Sequence, residues 1–320
     1  MATKKSTKTA AKPKEAPEAI AEVPDIEAMN EVPAPDAQSN LETETITTAT
    51  IAAPGSAEEC DEPKDEGLEV FGKYLVVIPY YAAGAQGREL AYCIEGWRRH
   101  FNEPYHIVVV GDLPEFVDLY LGDITYIHCP RVEVVDDQYT CHRDFVNKLR
   151  KVRAAFPETE GFIFCADDVY AVNDFDIADV RFLKQNGDEI KFDKNAAGAC
   201  WETEKRKTKE ILEADGYPTR NFTTHLPQWL EWDKLEALWD KYDMANESYI
   251  FEDLYFNIYF ADRIPFQLNI EHDNLKCGIY RANPRWELVR RAFKKQIWIQ
   301  NGVDGWTAQL DQMLNDYYFA

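Results

Sequence analysis

No aromatic residue precedes Phe71, although Phe, Tyr and Trp make up 13% of the chain. This opening stretch holds seven of the sixteen prolines and is otherwise mostly Lys, Glu, Ala and Thr. Such a composition buries too little apolar surface to offset the entropy lost on ordering. Residues 1–68 are therefore expected to form a disordered, acidic, proline-rich tail. Residues 69–320 are expected to be the folded part, a size suited to one large α/β domain. No apolar run approaches the roughly 20 residues that span a bilayer, and the first residues lack the apolar core of a signal peptide. None of the seven cysteines forms a Cys-x-x-Cys pair, and their number is odd. With Cys165 inside the apolar run Phe162-Ile163-Phe164, reduced and mostly buried thiols in a cytoplasmic protein are expected.

Positive charge is also scarce. The chain has 35 Lys and Arg against 57 Asp and Glu, a net charge of −22. The tail supplies −9 of this and the folded part −13. That field repels phosphate backbones and argues against non-specific nucleic-acid binding. The cluster Lys4, Lys5, Lys8, Lys12 and Lys14 reads as part of a solvated tail. Gly84-Ala85-Gln86-Gly87 lacks the Gly-Lys-Ser/Thr of a phosphate-binding loop. No Ser-His-Asp order and no zinc spacing stand out.

What is present is an alternation of strands and helices. Tyr74–Pro79 is continuously apolar, as a strand covered on both faces would be. A glycine-containing loop leads to a helix over about Arg88–Phe101, with Leu90, Ile94, Trp97 and Phe101 on one face. A strand over His106–Val110 ends at Gly111-Asp112. Pro114 is placed to open a helix through Phe116 and Leu119, and Ile124–His128 is a third strand. A helix over about Tyr139–Phe156 precedes a fourth strand, Gly161–Ala166, which stops abruptly at Asp167-Asp168. This order predicts an α/β fold with a mostly parallel sheet and helices on both faces. Beyond Asp168, Asn186-Gly187 reads as a hairpin turn between Arg181–Lys184 and Glu189–Phe192. Helices are expected over about Glu202–Ala214, in a Trp-rich stretch reaching Tyr242, over Tyr249–Ala261, and around Trp286–Phe293 and Trp306–Tyr317. Phe266–Ile270 is read as a strand.

In an open parallel sheet, ligands bind beyond the carboxyl ends of the strands, which is where Asp167 and Asp168 fall. Two adjacent carboxylates at a buried rim repel one another and tend to protonate. A divalent cation removes that conflict, and Mg²⁺ or Mn²⁺ takes one or two carboxylates together with diphosphate oxygens.

Val77-Ile78-Pro79-Tyr80-Tyr81, the helix Glu89–Phe101, the strand end Val110-Gly111-Asp112 and Phe164-Cys165-Ala166-Asp167-Asp168 together resemble a GT-A glycosyltransferase. The resemblance covers about residues 73–180 and, more loosely, runs on to Asp253. It implies a GT-A-like Rossmann-type domain, with a nucleotide-sugar-binding half over 69–170 and an acceptor half with a helical C-terminus over 171–320. It further implies a nucleotide-sugar donor, a saccharide or other hydroxyl acceptor, and Mn²⁺ or Mg²⁺. Carried over, Pro79 and Tyr81 flank the nucleotide, Asp112 contacts its base, and Arg143 and Lys148 bind the donor. Asp167 and Asp168 divide the ribose and the metal between them, with His272 as a further metal ligand. The Asp pair is adjacent here, whereas the family's usual form is Asp-x-Asp. For the proton of the acceptor hydroxyl, Asp253 and Glu252 are the catalytic candidates, a charged pair in a helix rich in Tyr and Phe. Trp201, after Ala196-Ala197-Gly198-Ala199, and His225, in Thr224-His225-Leu226-Pro227, are the acceptor-binding candidates. Lys276 and Arg281 lie late enough in the sequence to compensate diphosphate charge. Trp232 and Trp239, seven residues apart, share a helix face that suits a core. The run Glu89–Asp168 also resembles the Stealth family of capsule sugar-phosphate transferases, with His225-Leu226-Pro227 matching a later His-x-Pro. The Tyr-Thr-Trp-Val opening of that family is absent, and Ile78-Pro79-Tyr80-Tyr81 stands in its place.

Overall fold

The structure, a computed structural model, describes residues 72–114, 124–131, 141–193, 200–269 and 273–320. The expected tail, the helix through Phe116 and Leu119, Tyr139, the run Ala196–Ala199, and His272 lie outside the described residues. The first half contains β1 (Tyr74–Tyr80), α1 (Glu89–His100), β2 (Tyr105–Gly111), β3 (Ile124–His128), α2 (Cys141–Ala155) and β4 (Gly161–Phe164). Among the described residues, the expected strands and helices of this half are present to within a few residues at each end. The second half adds β5 (Val169–Ala171), α3 (Ile177–Arg181), β6 (Lys184–Gln185), α4 (Cys200–Ala214), β7 (Gln228–Glu231), α5 (Trp232–Lys241) and α6 (Phe251–Tyr259). It closes with β8 (Phe266–Gln267), β9 (Lys276–Ile279), α7 (Trp286–Lys295), β10 (Trp298–Asn301) and α8 (Ala308–Phe319).

The main sheet has the order β3-β2-β1-β4-β7, with β7 antiparallel to β4 and the other pairs parallel. All seven residues of β1 are buried because both faces are covered. Val76 and Ile78 pack with Leu90, Ile94 and Trp97 of α1 on one side. Leu75 and Val77 pack with Val146, Leu149 and Val152 of α2 on the other. Side-chain alternation along one strand thus feeds two cores. The chain fills one side of β1 with β2 and β3, then returns to the other side with β4. The reversal of strand order lies between β1 and β4.

β5, β10 and β9 form a second sheet, with β10 antiparallel to β5 and parallel to β9. Asp167 and Asp168 occupy the turn in which the chain leaves the main sheet for this one. Gly111 ends β2 with φ of +146°, and a Cβ there would come within 1.9 Å of the Tyr80 carbonyl oxygen. Gly111→Ala is expected to cost at least about 1–3 kcal/mol, read as a lower midpoint in thermal unfolding; an unchanged midpoint would contradict this close approach of β1 and β2.

Three expectations for the second half are corrected. The hairpin about Asn186-Gly187 does not form: Arg181 ends α3, and β6 pairs in parallel with β8. The polar stretch after it bonds instead to the 219–221 segment, Asn186 N–H to Asn221 O at 2.8 Å and Ile190 N–H to Thr219 O at 2.6 Å. The Trp-rich stretch is divided. Gln228–Glu231 is a strand with alternating burial, seated against Gly161, where a Cβ would meet the Leu230 carbonyl oxygen at 2.4 Å. Only from Trp232 does it become the helix α5, with Trp232 and Trp239 in the core as their spacing implies. The strand expected over Phe266–Ile270 is limited to the two residues of β8, and Ile270 lies outside the described residues.

Candidate functional site

A cleft of about 190 Å³ opens at the carboxyl ends of β1 and β4, where the strand order reverses and α/β sheets bind ligands. Pro79 lines it from β1, Tyr81 from the residue after it, Asp167 and Asp168 from the turn after β4, and Lys148 from α2. Five residues expected to face a donor or metal are therefore brought together. Arg131 lies with its guanidinium 4.1 Å from the centroid of the Tyr81 ring. Asp112, after β2, accepts a hydrogen bond from Ala82 N–H at 2.9 Å and so fixes the loop that follows Tyr81.

Lys148 is buried, 2.7 Å from Asp144 one helical turn earlier, and donates to Tyr80 O at 3.2 Å. Arg143 is not brought into the cleft. It lies beside Asp144 in sequence and so about 100° around the helix from it. Its guanidinium donates to Ala245 O at 2.9 Å, and its backbone N–H to Ser248 Oγ at 3.1 Å.

The cleft carries more acid than base. Glu89, the first residue of α1, also lines it and accepts from Asn301 Nδ2 and from Gln86 N–H, both at 2.6 Å. Burial, reinforced by the Asp168 charge, outweighs these bonds and pushes the Glu89 carboxyl up to about 7. Burial, then Asp168, then Glu89, push the Asp167 carboxyl well above its ordinary value. Asp168 is pushed up to about 6 by burial, against the opposing hydrogen bond from Gln300 (Nε2 to Oδ2, 2.9 Å) and the nearby Lys276 charge. Its other oxygen, Oδ1, is buried and has no hydrogen-bond partner.

An unpartnered carboxylate oxygen beside a second raised carboxyl is a donor set suited to a hard divalent cation. Among the described residues no three His, Cys, Asp or Glu side chains converge to encircle a metal by themselves. The fit is to an ion held by one or two carboxylates, with the rest of its shell from ligand oxygens.

Lys276, on β9, lies between this acidic corner and the His225 loop. It is buried, donates to Thr224 O at 2.6 Å, and is brought down to about 8 by burial, which the Asp168 charge partly offsets. His225 adopts a left-handed backbone, φ 55°, uncommon for a non-glycine residue. Its side chain reaches solvent. Desolvation by the surrounding protein, followed by the Lys276 and His142 charges, holds its imidazole below the ordinary value. Trp201 stands nearby, with ring centroids 6.2 Å apart, and stacks on His142 at 5.2 Å.

Glu252 and Asp253 are not brought into the cleft. Asp253 is buried, and its Oδ1 accepts from Phe222 N–H at 2.5 Å and Thr223 N–H at 3.1 Å, anchoring the loop that ends in His225. Glu252 approaches His142 Nε2 at 3.3 Å, with Glu204 at 2.9 Å from Nδ1 on the other side. Both carboxylates of the pair therefore act on packing and loop position.

No family model matches the sequence, and no curated protein matches it. Among solved structures the chain is similar to WbbM, described as a bifunctional glycosyltransferase. The identity is 15%, over 72% of this chain and 45% of that one, with a TM-score of 0.39. The chain thus spans less than half the length of WbbM. It is also similar to a glycosyltransferase involved in glycosylation of the major capsid of PBCV-1, at 14% identity over 76% of this chain and 99% of that one, TM-score 0.35. A third is the galactosyltransferase LgtC in complex with donor and acceptor sugar analogues, at 11% identity over 77% and 96%, TM-score 0.38.

Glu89, Gln300 and Asn301 escaped the sequence reading. Glu89 had one signal, an acidic residue opening the helix after the first strand, but this is also ordinary charge–dipole placement. Gln300 and Asn301 carried none, since they reach Asp168 and Glu89 only through the pairing of β10 with β5.

Proposed function

We propose that the protein is a GT-A-type glycosyltransferase that moves a sugar from a nucleoside-diphosphate sugar to an acceptor hydroxyl with the help of Mn²⁺ or Mg²⁺. The observation that carries this reading is the acidic pair at the β1/β4 reversal point, with Asp168 Oδ1 buried and unpartnered. Asp168, with Asp167, would hold the cation. Bound there, the ion supplies Lewis-acid stabilisation of the departing diphosphate.

The chain's own residues do the rest. Pro79 and Tyr81 bound the nucleotide end, and Asp112 keeps their loop in place. Lys276 sets a positive charge beside the diphosphate. His225, held neutral near pH 7, offers an imidazole to an acceptor hydroxyl, and Trp201 backs it. Asp253 is a positioning residue, fixing the backbone from which His225 projects. Among the described residues no helix is long and apolar enough to cross a membrane.

The test is thermal unfolding with UDP or GDP and Mn²⁺, added singly and together. A rise in midpoint that needs both ligands and vanishes in Asp168→Ala is expected. No shift with any nucleotide would overturn the reading. Product mass separates the two transfer chemistries: glycosyl transfer releases nucleoside diphosphate, and sugar-phosphate transfer releases nucleoside monophosphate.

A further inference from the structure

A second cavity, of about 300 Å³, is walled by Tyr280, Arg281, Pro284, Arg285, Leu288 and Arg291. Its chemistry is opposite to that of the rest of the chain. Residues 276–295 hold seven Lys and Arg and a single acid, Glu287, in a protein of net charge −22. The apolar side of α7 is spent on the core through Val289 and Ala292, which leaves Arg290, Arg291, Lys294 and Lys295 exposed.

Tyr280 relates this cavity to the acidic cleft: it lines the one, and its phenol feels the Asp168 charge of the other. Alternation along β9 and the residue after it puts Lys276, Gly278 and Tyr280 on one face. The Tyr280 ring packs directly over Gly278, where a Cβ would lie 2.4 Å from it, and against Gly302, where a Cβ would lie 3.3 Å away. Lys276 Nζ sits 5.7 Å from the same ring centroid. Tyr280 remains 49% exposed. It is an aromatic face pinned on two glycines, near Lys276 and in the same cavity wall as the arginines.

We propose that this cavity is an outer part of the acceptor site, holding the acceptor away from the hydroxyl that meets His225, and that it takes a saccharide bearing a phosphate or carboxylate group. The sugar ring stacks on Tyr280, and Arg281, Arg285 and Arg291 receive the anion through their planar donor forks. An acidic protein repels an anionic acceptor everywhere except at such a patch. This inference rests on reading the acidic cleft as the donor site.

Calorimetric titration of the full chain with glucose 6-phosphate, glucuronate and glucose, without nucleotide, tests it. At least one of the two anionic sugars is expected to bind about tenfold or more tighter than glucose, and the better anion identifies the group. Arg285→Ala/Arg291→Ala should erase that preference while leaving the binding of UDP with Mn²⁺ unchanged. Tyr280→Ala should weaken all three sugars. Equal affinity for glucose and both anionic sugars would overturn the proposal. So would loss of UDP–Mn²⁺ binding in the arginine variant, which would assign the cavity to the donor. Failure of the wild type to bind any nucleotide with Mn²⁺ counts against the donor reading instead, and the sugar titration is read independently of it.

Discussion

Asp168→Asn lowers turnover of a nucleotide sugar by roughly a hundred- to a thousandfold or more, the range lost when one preorganised electrostatic contact to a transition state is removed, while thermal stability holds or rises. The two halves of this expectation have one cause. In the free protein the Asp168 charge raises the neighbouring Asp167 and Glu89 carboxyls, and its own Oδ1 makes no hydrogen bond. Asparagine keeps the size and the Gln300 contact but removes a buried charge that lacks a full set of partners. A residue whose loss destroys activity and improves folding is one kept for its ligand, as strained functional groups are. Steady-state kinetics and thermal unfolding of the same preparation check both halves. Retained turnover would remove Asp168 from the chemistry, and a large fall in midpoint would make it a structural carboxylate.

The opposite pattern is expected at His142. This buried imidazole bridges Glu204 (2.9 Å) and Glu252 (3.3 Å). Desolvation opposes its charge, but the two carboxylates outweigh it and raise the imidazole to about 10. His142→Ala strands two carboxylates in the core, a loss of about 3–5 kcal/mol for a broken buried ion pair. At this domain size that is a fall of roughly 6–20 °C in the unfolding midpoint.

The pH dependence follows from the same shifts. A group raised in the folded state contributes in full below its unfolded pKa, about 6.5 for histidine, and the contribution is lost as pH rises through the folded value near 10. Glu204 is shifted downward: burial works against its charge, and His142 and Ser248 overcome it. Its contribution is present above the ordinary glutamate value and lost as pH falls through the lowered one. Between about pH 6.5 and 10 the wild-type midpoint should therefore fall relative to that of His142→Ala, the buried lysines Lys184 and Lys276 acting alike in both proteins. Parallel pH profiles for the two proteins would show that the cluster does not carry this charge.

The Asp167-Asp168 end of the cleft was legible because local signals coincide there. A continuous apolar run that stops at two aspartates reads as a buried strand ending at the sheet rim, whereas Pro79, Tyr81 and Lys148 are picked out by the resemblance to GT-A glycosyltransferases alone. How Lys276, Gln300 and the His225 loop assemble around that end was not legible, because they meet only through tertiary pairing. Lys276 was named for its charge, yet its place between Thr224 and Asp168 depends on β9 joining a sheet that sequence periodicity does not announce. Glu252 and Asp253 show how one signal serves two causes. A charged pair in an aromatic helix is what a catalytic dyad looks like, and equally what buried carboxylates look like when they tie down a loop and a histidine. Arg143 shows a third limit: a helix that carries Lys148 into the cleft turns a neighbouring residue away from it.

The most direct test of the account is a Mn²⁺ titration followed by electron paramagnetic resonance, in the presence and absence of nucleoside diphosphates of each base. Wild-type protein should draw Mn²⁺ out of solution strongly only when the right diphosphate is present, and Asp168→Asn should not. Uptake that is the same in both proteins, or indifferent to every nucleotide, would contradict the claim that the paired aspartates exist to share a cation with a diphosphate.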